Sequence, residues 1–252
     1  MEKKFIYWLL FVFVLPVFAQ ESIKSAIDEI IAKEKTEENT LLRLKQIDPN
    51  LDDSLSYLAE LMAKKETAKQ AIRVLKKIDP HWNKTNAVKK IVPQLAANFK
   101  AADDYKTRTL FCECLGEIGC GAYEAIPELV FARVTRRGVW DPPTGSTLEK
   151  IEPQWHKLPI ARQTMLQALK STPYDFFTSV DHMIREMYYI DPNWPNAADV
   201  RDAIPDIVRG LKVTQEGCAR TAIKLLKTID PKWAELQVKN SMPDSFNSMP
   251  DS

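Results

Sequence analysis

The five residues Ile78-Asp79-Pro80-His81-Trp82 decide the fold class, because close copies of them recur along the chain. The six isoleucines that open these copies are 31, 40, 33, 39 and 39 residues apart. A recurrence of about 20–50 residues indicates a chain built from stacked structural repeats. The other copies are Ile47-Asp48-Pro49-Asn50-Leu51, Ile118-Gly119-Cys120-Gly121-Ala122, Ile151-Glu152-Pro153-Gln154-Trp155, Ile190-Asp191-Pro192-Asn193-Trp194 and Ile229-Asp230-Pro231-Lys232-Trp233.

The pentad has the composition of a corner between two helices. Its isoleucine is the last apolar residue of a helix. The proline that follows the acidic residue disfavours the α-helical backbone conformation for that acidic residue. The proline restricts φ and suits a new helix start. The tryptophan then offers a large apolar surface that two helices can bury. The predicted structural core of the repeats is therefore Trp82, Trp155, Trp194 and Trp233, together with Pro80, Pro192 and Pro231.

Helical periodicity surrounds the pentads. Residues 69–82 and 220–233 are identical at eight of fourteen positions, and their apolar residues follow the i, i+1, i+4, i+7 spacing of one helix face. A second helix is expected after the pentads, over about residues 87–99, 123–134 and 197–211, each with an apolar-Pro-x-apolar signature. Strand signals are weak. The chain is therefore predicted to be all-α.

The run of residues 115–129, Leu-Gly-Glu-Ile-Gly-Cys-Gly-Ala-Tyr-Glu-Ala-Ile-Pro-Glu-Leu, resembles the short HEAT-like repeats first named for phycobilin lyases. The resemblance covers roughly residues 22–239. It implies a right-handed α-solenoid of about five to six helical hairpins, the last one incomplete, with a concave face lined by the second helices. Proteins with such repeats are partner-binding scaffolds more often than enzymes. The resemblance therefore implies the fold and does not identify a substrate.

Two copies depart from the repeat pattern. In copy four, residues 136–145 read as a loop in place of most of the first helix, and Gly145 stands where copy two has Ile72. Arg136, Arg137 and Trp140 in this loop are the candidate partner-binding residues, since Arg and Trp are common at binding hot spots. The alternative is a spacer whose tryptophan packs against its neighbours. Copy six lacks a second helix, so either another chain covers its end or the chain is a truncated relative of a longer protein.

The first nineteen residues have the pattern of a secretory signal peptide. Lys3 and Lys4 precede an apolar run that Pro16 breaks, and Ala19 stands before the expected cut. The chain is therefore expected to be exported to the periplasm or outside the cell, without stable membrane insertion after cleavage; an uncleaved N-terminal anchor is the alternative. Residues 20–239 would form the HEAT-like domain. Residues 240–252, which contain the duplicated segment Asn-Ser-Met-Pro-Asp-Ser, are predicted to be disordered.

Charge and composition argue against a nucleic-acid partner. Loss of residues 1–19 removes two lysines and one glutamate, which leaves 33 basic and 33 acidic residues. Nucleic-acid binders normally carry a basic excess or a basic stripe. No such stripe is visible in the sequence.

No arrangement of residues in the sequence indicates catalysis, a metal site or a cofactor. Cys112 and Cys114 align with core and near-core positions of a helix, and side chains two residues apart on a helix cannot share a metal. A disulfide involving Cys120 or Cys218 stays open for an exported chain. HEAT-like deoxyhypusine hydroxylases hold iron through His-Glu dipeptides, and this sequence has none.

The favoured hypothesis is a non-enzymatic, exported HEAT-like scaffold that binds a protein or peptide. Its second helices and the loop at residues 136–145 would supply the binding surface. One alternative is a structural oligomer that assembles through its incomplete C-terminal repeat. The other is a lyase- or hydroxylase-type enzyme that uses the groove of the solenoid.

Overall fold

The structure is a computed structural model, and every regular element in the part of the chain that it describes is an α-helix or a short 3₁₀ turn. This confirms the all-α prediction. The described residues are 23–32, 38–135, 142–171, 180–211 and 216–232.

The chain divides into two compact units, Met1–Ala122 and Tyr123–Ser252. The helices of the first unit are α1 (residues 23–32), α2 (Glu38–Ile47), α3 (Asp52–Met62), α4 (Ala68–Ile78), α5 (Asn86–Ala101) and α6 (Tyr105–Ile118). Those of the second unit are α7 (Ile126–Thr135), α8 (Thr144–Ile151), α9 (Pro159–Ser171), α10 (Val180–Ile190), α11 (Ala198–Arg201), α12 (Ile204–Leu211) and α13 (Glu216–Ile229).

Each unit is built by packing helices that are near one another in sequence. In the first unit α3 packs against α4 and α5, and α6 packs against α4 and α5. In the second unit α7 packs against α8, α9 and α10, while α13 packs against α10 and α12. The buried stripes that the helical periodicity predicts face these contacts.

All six pentad isoleucines end a helix, as the sequence predicts. Two of the acidic residues that follow these isoleucines show the reason: Asp79 has φ −140° and ψ 116°, and Glu152 has φ −150° and ψ 107°. These are extended conformations, which the following proline favours. The six helix ends are Ile47, Ile78, Ile118, Ile151, Ile190 and Ile229.

The acidic residue of the pentad also closes the corner through hydrogen bonds. Oδ1 of Asp79 accepts a hydrogen bond from the backbone N–H of His81 at 2.8 Å. The backbone carbonyl of Asp79 accepts one from the N–H of Trp82 at 3.1 Å, and the carbonyl of Trp82 accepts one from the N–H of Thr85 at 3.2 Å. The short acidic side chain therefore accepts a backbone hydrogen bond at the point where the helix ends and no further helical turn forms.

The same corner occurs twice in the second unit. Glu152 accepts a hydrogen bond from the N–H of Gln154 at 3.0 Å, and Asp191 accepts one from the N–H of Asn193 at 3.0 Å. In both corners the tryptophan N–H bonds the carbonyl of the acidic residue, at 2.9 Å and 3.0 Å. Glutamate thus replaces aspartate in this role without changing the corner.

The tryptophans of these three corners lie in the core. Trp82, Trp155 and Trp194 are 3%, 1% and 0% exposed. Trp233 lies outside the described residues. The three prolines predicted to belong to the core, by contrast, are all exposed, so they restrict the backbone of the corner and contribute no buried core surface. These exposed prolines are Pro80, Pro192 and Pro231.

The glycine-rich copy forms a different corner. Gly119 has φ 65° and ψ −135°, which side chains disfavour, and it directly follows α6. A Cβ on Gly121 would lie 2.7 Å from the backbone carbonyl oxygen of Asn83, and the Asn83 side chain donates a hydrogen bond to the Ile118 carbonyl at 3.2 Å. Glycine at position 121 therefore permits this corner to pack closely on the preceding one.

The prediction of a loop over residues 136–145 in copy four is wrong at the C-terminal end of that range. Helix α8 begins at Thr144, so Gly145 is helical and copy four has a two-turn first helix. A Cβ on Gly145 would collide with the guanidinium group of Arg133. Packing against Arg133 therefore favours glycine at this helical position, despite its low intrinsic helix propensity.

The second helices begin and break differently from their predicted ranges. Helix α5 continues through Pro93, whereas α7 begins at Ile126 after a 3₁₀ segment, Gly119–Ala125. The predicted helix over 197–211 is divided into α11 and α12. Pro205 is the second residue of α12, where a missing N–H costs no helical hydrogen bond.

Candidate functional site

The residues predicted to bind a partner, Arg136, Arg137 and Trp140, lie outside the described residues. Their role stays a prediction. The described chain ends at Thr135 before them and resumes at Pro142 after them.

A pocket of about 520 Å³ opens at the surface of the second unit. We call it the Tyr123 groove. Four of its five lining residues present mainly apolar surface, and the fifth is a glutamate. The lining residues are Tyr123, Glu124, Pro127, Pro159 and Ile160.

The Tyr123 groove lies between the beginnings of two second helices. Tyr123 and Glu124 precede α7, and Pro127 is in its first turn. Pro159 and Ile160 are the first two residues of α9, which packs against α7. Proline is favoured in the first turn of a helix, because the N–H that it lacks would have no helical partner there. The apolar-Pro-x-apolar signature of the sequence thus supplies one wall of the groove.

The polar groups of the groove are accessible. The side chain of Tyr123 is 48% exposed, and Glu124 is also exposed. Among the described residues, none forms a hydrogen bond or ion pair with the Tyr123 phenol or the Glu124 carboxylate. Within the described part of the chain, a donor and an anionic acceptor are therefore both exposed without a protein partner.

An ion pair in the core holds helix α7 against α10. Arg133 Nε lies 2.6 Å from Glu186 Oε2, and Arg133 Nη2 lies 3.1 Å from Glu186 Oε1. Glu186 is only 6% exposed, and the Arg133 guanidinium lies 5.8 Å from the centre of the Trp155 ring. His182 Nε2 donates a hydrogen bond to the Arg133 carbonyl at 2.9 Å. These contacts fix the helix that forms one wall of the groove.

A second set of charges, the Arg162 cluster of Arg162, Asp191 and Asp199, holds helix α9. Arg162 Nε donates to Asp191 Oδ2 at 3.0 Å, and its Nη1 and Nη2 atoms donate to the two Asp199 oxygens at 2.5 Å and 2.9 Å. Hydrogen bonds from the guanidinium lower the pKa of Asp199, and those to Asp199 and Asp191 raise the pKa of Arg162. The other wall of the groove is thereby tied to a pentad corner.

The Arg162 cluster should make the stability of the chain sensitive to acid. Because the folded pKa of Asp199 is lowered, its stabilising contribution is complete above the ordinary aspartate pKa of about 4 and is lost as pH falls through the folded value. We expect acidification below about pH 4 to lower the urea midpoint more for the wild type than for Asp199→Asn. The exposed Asp202 supplies the control Asp202→Asn, which should follow the wild type; parallel curves for all three proteins would contradict the assignment.

The exposed tyrosines of α10 belong to the corner packing. The Tyr189 ring lies 4.7 Å from the His156 ring and 5.7 Å from the Trp155 ring. Tyr188 meets Trp194 edge-on at 5.8 Å. These tyrosines therefore cover the outer side of two pentad corners.

Two cysteines occupy the core positions that the alignment of the repeats predicts. Cys112 and Cys114 are buried, and burial raises the pKa of the Cys114 thiol to about 12. A thiol with such a pKa stays protonated and unreactive near neutral pH. Cys120 is exposed and unpaired. Cys218 belongs to α13, but its side chain lies outside the described part of the structure.

The described residues contain neither a group of metal ligands nor a membrane-spanning helix. Within the described ranges, no three or more His, Cys, Asp or Glu side chains are grouped so as to hold a metal ion. None of the described helices is long and apolar enough to cross a membrane. In comparisons with known proteins, no family model, no curated protein and no solved structure matches this chain.

Sequence reasoning missed the Tyr123 groove. Tyr123 and Glu124 lie within the run that carries the HEAT-like resemblance, but their spacing alone does not reveal a partner surface. The opposite wall begins at Pro159, after the next pentad along the chain. The usable signal was the proline at the start of α7 and of α9, the two helices whose beginnings line the groove.

Proposed function

We propose that this chain is a non-enzymatic scaffold of HEAT-like helical hairpins, stacked as a right-handed α-solenoid, that binds a protein or peptide partner. The observation that carries the proposal is the Tyr123 groove, which is open and largely apolar and lies between the starts of α7 and α9. Its two polar groups, the Tyr123 hydroxyl and the Glu124 carboxylate, have no partner among the described residues. Such a mixture of apolar surface with a few polar groups is typical of binding sites.

The repeated corners support the solenoid part of the proposal. Three corners share the same hydrogen bonds, each ending a first helix and leading into a second. A helical hairpin cannot bury both its faces alone, so neighbouring hairpins stack. The resemblance of residues 115–129 to HEAT-like repeats points to the same arrangement, in which second helices line the binding face.

The site of action that fits this function is the cell envelope or the extracellular space. The positive residues, apolar run and small residue of the first nineteen positions favour export. A partner would then be an envelope or secreted protein.

Cross-linked pull-down from the envelope fraction tests the proposal. The exported chain should enrich a defined envelope protein, and the purified pair should bind in a calorimeter. An Arg136→Ala, Arg137→Ala, Trp140→Ala triple variant and a Tyr123→Ala variant, both checked for unchanged helical content, would locate the site. Failure of the exported chain to bind any enriched protein after purification would overturn the proposal.

A further inference from the structure

We infer that the Tyr123 groove binds an extended, proline-containing peptide segment that carries a lysine or arginine beside its prolines. The inference rests on the proposed function and deepens it, because it names the site and the chemistry of the occupant. It is carried by the side chains of the groove, their free polar atoms and the contacts that hold the two walls.

The apolar lining matches the surface of a polyproline II segment. An exposed tyrosine ring, two prolines and an isoleucine line the groove. Grooves lined by aromatic residues bind proline-rich segments, because the polyproline II helix is preformed and loses little conformational entropy on binding. The groove is open to solvent on one side, which suits a segment of chain better than an enclosed small molecule.

The Tyr123 hydroxyl supplies the hydrogen bond that such a segment requires. A polyproline II segment has no internal hydrogen bonds, so its carbonyl groups remain available as acceptors. The Tyr123 phenol is a donor with no partner among the described residues. Tyrosine combines this donor with a large apolar ring and has few rotatable bonds, which makes it effective at binding surfaces.

Glu124 determines the charge of the occupant. Its carboxylate lines the groove, and none of the five lining residues is basic. A lysine or arginine on the peptide would pair with Glu124, whereas an aspartate or glutamate would be repelled. Such a pair at the rim fixes the direction and register of the peptide more than it adds affinity.

The groove is built on helices whose positions are fixed. Helix α7 is held by the Arg133–Glu186 ion pair, and α9 is held by the Arg162 cluster. Fixed walls reduce the ordering cost of binding, which allows a short peptide to bind with useful affinity.

The chain's own C-terminal segment fits this chemistry poorly. It contains Met242-Pro243-Asp244 and Met249-Pro250-Asp251, so each proline is followed by an acidic residue. An aspartate beside Glu124 would be repelled. The charge of the groove therefore favours a basic segment from another protein.

Selection from a phage-displayed library of random dodecapeptides tests the inference. The immobilised exported chain should enrich peptides with prolines and a neighbouring lysine or arginine. Glu124→Lys should instead enrich peptides with prolines and aspartate or glutamate. Selected peptides, measured by fluorescence anisotropy, should bind Tyr123→Ala about tenfold more weakly or worse. Tyr105→Ala and Glu149→Lys change exposed residues of the same types outside the groove and should match the wild type.

Several results would overturn the inference. They are an absence of enriched peptides, enriched peptides without proline or basic residues, and equal binding to the wild type and Tyr123→Ala. If deletion of residues 240–252 raised peptide affinity tenfold, the chain's own tail would be the occupant, and the assignment to another protein would fail. If an envelope partner bound Tyr123→Ala and the wild type equally, the proposed function would stand while the groove assignment failed.

Discussion

Replacement of Trp194 by alanine is expected to lower the free energy of unfolding by about 3–5 kcal/mol, as large-to-small core substitutions do. Trp194 is 0% exposed, and its ring packs edge-on against Tyr188. The substitution removes most of the apolar surface of a pentad corner and leaves a cavity that the surrounding helices fill only in part. Urea denaturation followed by far-ultraviolet circular dichroism measures the change.

Trp194→Phe is the matched control for this experiment. Within the described residues, the buried Trp194 Nε1 has no hydrogen-bond partner, so phenylalanine removes ring volume without breaking such a bond. Its cost should be well below that of alanine. An unchanged urea midpoint for Trp194→Ala would contradict the role of this residue in the core.

Replacement of Arg133 by alanine should cost about 3–5 kcal/mol of unfolding free energy, because it leaves the charge of Glu186 buried and unpaired. Glu186 is 6% exposed, and its two carboxylate oxygens accept hydrogen bonds from Nε and Nη2 of Arg133. The substitution also removes the guanidinium from the face of Trp155. Thermal and urea unfolding of the variant measure the loss.

The double variant Arg133→Ala, Glu186→Leu separates the charge effect from packing. Since an apolar residue can replace a buried ion-pair partner at little cost, the double variant should recover much of the lost stability. If the double variant is as unstable as the single one, the guanidinium acts through packing on Trp155 and Gly145, and the ion-pair explanation fails.

The helix ends could be predicted from sequence because their causes are local. An acidic residue before a proline ends the helix in five of the six pentad copies, and the preceding isoleucine is thus the final helical residue. The burial of Trp155 and Trp194 could be predicted for a similar reason, since a tryptophan at a corner is within reach of two helices. Each of these predictions required only a few adjacent residues.

Features that depend on distant residues could not be predicted in this way. Gly145 has a low helix propensity, but the position of Arg133 explains its place in α8. The Tyr123 groove combines residues from the starts of two helices, and its opposite walls meet only once α7 and α9 have packed.

The pentad corner also has a consequence for how fast the chain can fold. Each hydrogen bond that defines a corner joins residues only two or three positions apart, from Asp79 to His81 and Trp82 in the first unit and equivalently in the second. The loop that must close to form such a contact is minimal, so its entropic cost before the first stabilising contact is small. Folding dominated by local contacts is rapid compared with folding that must pair distant strands. The corners therefore provide starting points for folding, from which each adjoining pair of helices can be completed without waiting for remote segments.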